Sequence, residues 1–342
     1  MRKFSSIFLL TVFINLMLIS ACNDKDEDIP NQQYKVAMLA SGHTFDDLSF
    51  LQSCKDGMER AKSDFNLLVE YNIDTTSDKY QERLDHYGNQ EFDMIIAIGF
   101  MWDDAIVEAA KKYSQSSFVI VDTELSEVQE NALSILFDVD EASFPLGYLS
   151  AWWADTHDTD PKLGYVGAMY IPQIRQFIEP FNSGANRYNI QYGKNVDTIG
   201  AYANDFFNED LGKHMSDSLI GLGADVIFGV GSETGNGSLL KAYELGKVGI
   251  GTDVDQYYSF PEVSDILLSS AMKGLDNAIY EVIKSFINGA FIGGSIYNGK
   301  LVNFGVGTAP YHNYESHIPD SINIEIDKIK AGIIDGSIST TW

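Results

Sequence analysis

Cysteine is nearly absent: Cys22 and Cys54 are the only two among 342 residues. That number excludes a disulfide framework and is too few for a thiolate zinc site. Basic side chains are also scarce, with 23 Lys and Arg against 49 Asp and Glu and a formal net charge of -26. A nucleic-acid partner is excluded, because phosphate binding needs a concentrated cationic surface, and so is electrostatic adhesion to anionic lipid. Beyond residue 22 no apolar run exceeds what a buried strand or helix needs, short of the roughly 20 residues that span a bilayer. The six histidines never fall at the i, i+4 spacing of a zinc helix, and no metal site is expected. Neither a G-x-S-x-G elbow nor a Gly-rich loop leading into Lys-Ser or Lys-Thr occurs, which removes the commonest hydrolase and triphosphate signatures. What the chain does have is apolar bulk: 45% hydrophobic residues, including 20 Phe, 18 Tyr and 4 Trp. That suffices for sizeable cores, and the length suits two units of roughly 150 residues.

Arg2 and Lys3 precede an apolar stretch from Ile7 to Ile19 that ends in small residues, the pattern of a signal peptide rather than a membrane span. Leu18-Ile19-Ser20-Ala21-Cys22 resembles a lipobox, the cleavage site of bacterial lipoproteins at which the Cys becomes lipidated. Residues 1–21 are therefore expected to be a signal peptide and 22–33 a lipidated acidic tether. The protein would be exported and held on the periplasmic or cell-surface face of a bacterial membrane through lipid on Cys22 alone. Asp24, Asp26 and Asp28 alternate, but no Gly at the sixth position and no Glu at the twelfth completes a calcium loop. Cys54 has no His nearby in the sequence and reads as a small buried hydrophobe.

From Tyr34 onward, apolar runs of four to six residues bounded by Gly or Asp alternate with segments of helical spacing. Extended runs are expected at 34–40, 67–71, 92–99 and 118–122, with helices at 51–65, 79–87 and 105–113. The rhythm restarts with strands at 163–167, 197–202, 224–229, 248–252 and 266–269. Helices are expected there at 172–188, 212–222, 238–245, 273–286 and 322–334. Consecutive apolar residues mark strands buried on both faces, so each half is an α/β unit built on a doubly wound, mostly parallel sheet.

Ligands of such sheets lie beyond the carboxyl ends of the strands. Those positions hold Ser41 to Ser49, Phe100 to Asp103, Asp122 to Glu124, Met169 to Ile171, Phe206 to Asn208, Ser232 to Gly235 and Asp253 to Gln256. Gly229-Val230-Gly231-Ser232-Glu233-Thr234-Gly235 follows a strand, but its G-x-G-x-x-x-G spacing misses the dinucleotide fingerprint, and Glu233 would face a pyrophosphate. No cofactor is expected. Paired carboxylates at Asp46-Asp47 and Asp103-Asp104 leave an exported glycoside or nucleoside hydrolase open as a minor alternative.

Several segments, in order, resemble the basic membrane protein family, nucleoside-binding lipoproteins that serve ABC importers. They are Asp47-Leu48-Ser49-Phe50-Leu51, against D-x-S-F-N, then Gly164 to Pro172, and Phe177, Phe181 and Gly184 after it. Gly223 to Phe228, Ile250-Gly251-Thr252-Asp253-Val254-Asp255-Gln256, and Ser270 with Lys273 follow. The resemblance implies a two-lobed type I periplasmic-binding-protein fold with the ligand in the cleft. The lobes would be 34–137 plus 253–292 and 138–252 plus 293–342, with crossings near Asp138, Thr252 and Gly293. By the same resemblance Asp47 and Ser49 would face a base, while Asp253 and Lys273 would hold ribose hydroxyls, as a carboxylate and an ammonium can. Phe50, Phe100, Trp102 and Phe206 are candidate stacking platforms, and Asp122, Met169 and Glu233 complete the candidate ligand-binding set. The chain departs from the family at Leu51, in place of Asn, and at Lys55, in place of an aromatic. The expected ligand is a nucleoside or another ribose-like solute, bound without catalysis by a monomer that passes it to a membrane permease. A ligand sensor of the same fold, signalling to a membrane partner, is the alternative.

Overall fold

Twelve strands and ten helices are described in a computed structural model that covers residues 33–342 except Thr75. The expected signal peptide, Cys22 and the acidic tether up to residue 32 lie outside the described residues. In chain order come β1 (Lys35–Ser41), α1 (Phe50–Phe65), β2 (Leu68–Asp74), α2 (Tyr80–Asn89), β3 (Met94–Ile98), α3 (Asp103–Lys112), β4 (Ser117–Val121) and β5 (Ala132–Phe137). They are followed by α4 (Asp140–His157), β6 (Lys162–Gly167), α5 (Pro172–Tyr192), β7 (Asp197–Tyr202), α6 (Glu209–Gly221), β8 (Val226–Val230), α7 (Ser232–Glu244) and β9 (Val248–Asp253). The chain ends with the short α8 (Gln256–Ser259), β10 (Leu267–Lys273), α9 (Leu275–Ile287), β11 (Ile296–Gly299), β12 (Val306–Thr308) and α10 (Asp320–Ile334). Among the described residues no helix is long and apolar enough to cross a membrane.

The strands form two six-stranded sheets, ordered β11-β5-β4-β3-β1-β2 and β12-β10-β9-β8-β6-β7. Every pairing is parallel except β12 against β10. Strands β3, β8 and β9 are buried at every position, as their unbroken apolar runs require when helices cover both faces. In each sheet the strand order reverses once, between β1 and β3 and between β6 and β8. A doubly wound sheet opens a crevice at such a reversal, beyond the carboxyl ends of the two strands.

Two of the expected crossings between lobes move. Strand β10 belongs to the second sheet, where Ser270 and Ala271 sit beside Gly251 and Thr252 of β9, and its neighbours there bury Leu267, Leu268 and Ala271. The chain therefore returns to the first lobe after Lys273, not near Thr252, and α9 lies so close to α1 that a Cβ at Gly57 would overlap the Asp276 carbonyl. Strand β11 then pairs with β5 in the first sheet, so the next crossing follows Gly299 rather than Gly293. The first crossing falls between the end of β5 at Phe137 and the start of α4 at Asp140.

Helix α4 fills a stretch for which the pattern predicts nothing. Every residue from Ala142 to Ala154 is buried, and a helix enclosed on all sides shows no apolar stripe. It crosses α5 at two glycines: a Cβ on Gly147 would overlap the carbonyl of Phe181, and one on Gly184 the carbonyl of Phe144. Backbone on both sides leaves nothing flexible to yield. Gly184→Ala should lower unfolding stability by about 2–3 kcal/mol, the upper range for overpacking, as read from the midpoint of urea denaturation at unchanged slope.

Candidate functional site

Both reversal points face one cavity. From the first lobe it is lined by Ser41, Asp47, Phe50, Leu51, Ile98, Gly99, Phe100, Met101 and Asp122. The second lobe contributes Ile171, Gln173, Ile174, Phe206, Phe207, Gly231, Ser232, Asp253 and Lys273. Ser41 and Ile98 end β1 and β3, while Gly231 follows β8, as the crevice rule requires.

The loop between β1 and α1 is held by the opposite lobe. The Asp47 carboxylate accepts the backbone N–H groups of Ser49 (3.0 Å) and Gln52 (3.1 Å) on Oδ1 and that of Leu51 (3.2 Å) on Oδ2. It thereby satisfies donors that the first turn of α1 leaves unpaired. Ser232 adds a hydroxyl to Oδ2 at 3.4 Å. Burial pushes the Asp47 carboxyl up from its ordinary value, and those backbone N–H groups pull it back. From the second lobe, Asn236 donates to the Asp47 carbonyl (3.0 Å) and Ser259 to the Leu48 carbonyl (2.7 Å). Leu48 itself has φ 60°, an unfavourable conformation for a residue with a Cβ.

Charge concentrates where β4, β9 and β10 end. Lys273 closes β10 and donates to both oxygens of Asp122, at 2.8 and 2.7 Å, across the lobe boundary. The rings of Phe177, Phe50 and Phe137 surround the same ammonium at 4.9, 5.6 and 5.9 Å, within cation–π range. Asp253 closes β9 with φ 66° and accepts the Ser49 hydroxyl on Oδ2 at 3.0 Å. Its Oδ1 has no hydrogen-bond partner among the described residues. Burial raises the Asp253 carboxyl to about 6; Lys273 opposes the shift, and the negative charges of Asp122 and Asp47 add to it. Burial raises Asp122 as well, against the pull of Lys273.

Of the expected ligand-binding residues, Asp47, Phe50, Phe100, Asp122, Phe206, Asp253 and Lys273 line the cavity. Ser49 does not line it but orients Asp253 through its hydroxyl. Trp102 is displaced: it is fully buried, stacked on Tyr80 with ring centroids 4.1 Å apart in the first-lobe core, because the turn after β3 aims it inward. Met169 is half-buried and outside the lining. Glu233 pairs with His43 at 3.1 Å across the cleft rather than lining it. Met101, Ile171, Gln173, Ile174 and Phe207 are cavity residues that the pattern did not single out, and Leu51, where the chain departs from the family, lines the cavity with them. Met101, Ile171 and Phe207 lie in strand-end segments, so the geometric filter reached them, but an apolar residue in a loop carries no mark of its own.

A cleft between two parallel sheets, lined by both switch points and holding a buried carboxylate and ammonium, defines a two-lobed solute-binding protein. Residues 33–337 match the family described as ABC transporter substrate-binding protein PnrA-like (Bmp), and the chain belongs to that family. It is similar to the ABC transporter nucleoside-binding protein BmpA of Lactococcus lactis, 28% identical over 323 residues covering 89% of this chain and 88% of that one. The CD4+ T-cell-stimulating antigen of Listeria monocytogenes is 27% identical over 350 residues, covering 94% of each chain. A solute-binding protein of an ABC transporter system from Aeropyrum pernix shares the fold with a TM-score of 0.84 at 23% identity, covering 90% of this chain and 92% of that one. Basic membrane protein D of Borreliella burgdorferi and a lipoprotein of Pyrococcus abyssi are further relatives. The family is one of ABC transporter substrate-binding proteins, not of enzymes. Of the carboxylates weighed for hydrolysis, Asp46 pairs with Lys55 at 2.7 Å, Asp47 holds the start of α1, and Asp103 accepts from the Ser126 N–H at 2.9 Å.

Proposed function

We propose that the chain is an exported lipoprotein, anchored through Cys22, that captures a nucleoside between its lobes and delivers it to the permease of an ABC importer. The observation that carries this reading is the meeting of Asp253 and Lys273 in one cavity walled by Phe50, Phe100, Phe206 and Phe207. The uncommitted Oδ1 of Asp253 suits a sugar hydroxyl, an ionised carboxylate can accept from two vicinal hydroxyls, and Lys273 supplies a donor beside it. The phenyl faces suit a flat ring whatever its identity. The name of the Lactococcus relative points the same way. Lobe closure would bury the ligand, and a lipid tether would keep the loaded receptor near its permease at raised effective concentration.

Thermal unfolding against a panel of nucleosides, free bases and pentoses tests the ligand assignment. A nucleoside at 100 times its dissociation constant should add about 2.7 kcal/mol of stability, with free bases and pentoses adding less. Silence across all nucleosides, with a response to another class of solute, would overturn the nucleoside assignment and leave the family membership standing.

A further inference from the structure

The second lobe brings one side-chain amide to the cavity wall. Gln173 is the second residue of α5, and Ile174 beside it lines the same wall. Ile174 and Phe206 converge on Gly231, where an added Cβ would stand 3.3 Å from each, so the amide borders the surface on which a flat ring would lie. Its Nε2 reaches across the lobe boundary and donates to the Thr123 hydroxyl at 3.2 Å. That bond sets which way the amide faces. Its Oε1 has no hydrogen-bond partner among the described residues, and both of its lone pairs are free.

The neighbouring groups are short of donors. Thr123 follows Asp122, whose carboxylate takes the Lys273 ammonium at 2.8 and 2.7 Å and keeps half of its acceptor capacity. Ser41 donates its hydroxyl to Tyr80 at 2.6 Å, Ser232 donates to Asp47 at 3.4 Å, and the Gly99 N–H donates to the Val121 carbonyl at 3.0 Å. Those donors are spent within the protein, while the oxygens of Gln173 and Asp122 are not. A ring edge that offers N–H groups would be satisfied here, and one that offers only lone pairs would lose water without gaining partners.

We infer that Gln173 reads the ring edge, accepting from an exocyclic amino group through Oε1, so that the ligand class is amino-substituted nucleosides such as adenosine, in preference to their oxo counterparts. This rests on the nucleoside-capture reading above and deepens it. Thr123 holds the amide from the opposite lobe, so its carbonyl is oriented before the ligand arrives, and that preorganisation favours binding. An oxo group in place of the amino group turns a lone pair toward Oε1. A bare C–H there leaves Oε1 without a partner once the ligand has displaced water, and sites built to hydrogen-bond a substrate group reject analogues lacking it for that reason.

Isothermal titration of the purified protein and of a Gln173→Met variant with adenosine, inosine and purine riboside tests it. Purine riboside keeps the sugar and both rings and carries hydrogen where adenosine has its amino group. Adenosine should bind the parent at least about tenfold more tightly than either analogue. Met fills a similar volume without an acceptor, and in the variant the preference for adenosine over purine riboside should fall by at least about threefold. Because the ratio is taken between ligands on one protein, a change in stability alone does not move it. Gln173→Ala gives the same comparison should the Met variant fail to fold. A smaller preference in the parent over either analogue overturns this inference and leaves nucleoside capture intact. A preference that both variants keep assigns the reading to another group and overturns the role of Gln173. If no nucleoside binds, nucleoside capture fails and this inference with it.

Discussion

Lys273→Met should make the unliganded protein about 3–5 kcal/mol easier to unfold, and adding Asp122→Asn to the same chain should restore most of that loss. Lys273 is the cation held against two buried carboxylates, in direct contact with Asp122 and opposing the upward shift of Asp253. Its side chain is 2% exposed, so the water that reaches the site replaces only part of what the ammonium supplies. Asp122 would then have to stay charged without a partner or take up a proton, and either is unfavourable at neutral pH. Met keeps comparable volume against Phe50, Phe137 and Phe177, so the packing change is small and the measured loss belongs to charge. Deleting both members of a buried pair removes the uncompensated ion, which is why the double variant recovers. Urea denaturation of the two single variants and the double completes the cycle. A single Lys273→Met variant within 1 kcal/mol of the parent would mean that the pair is solvated and contributes little.

That pairing shows where sequence reading succeeds and where it stops. Strands β3, β8 and β9 are legible because burial on both faces forces unbroken apolar runs such as Met94-Ile95-Ile96-Ala97-Ile98. Their carboxyl ends then locate Asp253 and, after β4, Asp122 without further information. Which of those carboxylates meets Lys273 is not legible. The residues are 151 positions apart, and the contact depends on β10 entering the second sheet. Ser269-Ser270-Ala271-Met272-Lys273 lacks the apolar density of a central strand, so Lys273 reads as the start of a helix, whereas the ladder with β9 carries the strand through Met272 and Lys273 ends it. Membership of β10 and β11 in opposite sheets is likewise a tertiary outcome, since no local signal marks a crossing between lobes. Trp102 illustrates the converse error. An aromatic at a strand end is a fair platform candidate, but the turn Phe100-Met101-Trp102 points successive side chains in different directions. Phe100 and Met101 face the cavity, and Trp102 packs on Tyr80. Helix α4 is hidden for the opposite reason, since enclosure on every side erases the periodicity by which a helix is recognised.

Asp253 should make stability and ligand affinity run in opposite directions with pH. Its carboxyl titrates near 6 in the folded chain and at about 3.9 when unfolded. Between those values the folded state binds the extra proton, so stability from this group is greatest below about 4, falls as pH rises through the window, and is flat above 6. A shift of about two units corresponds to roughly 3 kcal/mol. Other carboxylates titrate in the same range, so the signal is isolated by comparison with Asp253→Asn, which cannot ionise. The stability of the parent relative to that variant should drop by about that amount between pH 4 and 6. Binding of a vicinal diol should follow the opposite course, because the ionised carboxylate can accept from two hydroxyls while the neutral acid has less capacity to do so. Below pH 6 the dissociation constant of the parent should weaken by up to about tenfold per pH unit, and the variant should bind weakly at every pH. The groups facing Asp253 act in concert: Ser49 and Lys273 favour its charge, and Asp47 and Asp122 oppose it. The ionised form is therefore an unfavourable resting state that a diol relieves by donating to the uncommitted Oδ1. A parent and variant whose stabilities stay parallel from pH 4 to 7 would show that Asp253 is not held in this strained state, and a pH-independent dissociation constant would show that it does not hold the ligand.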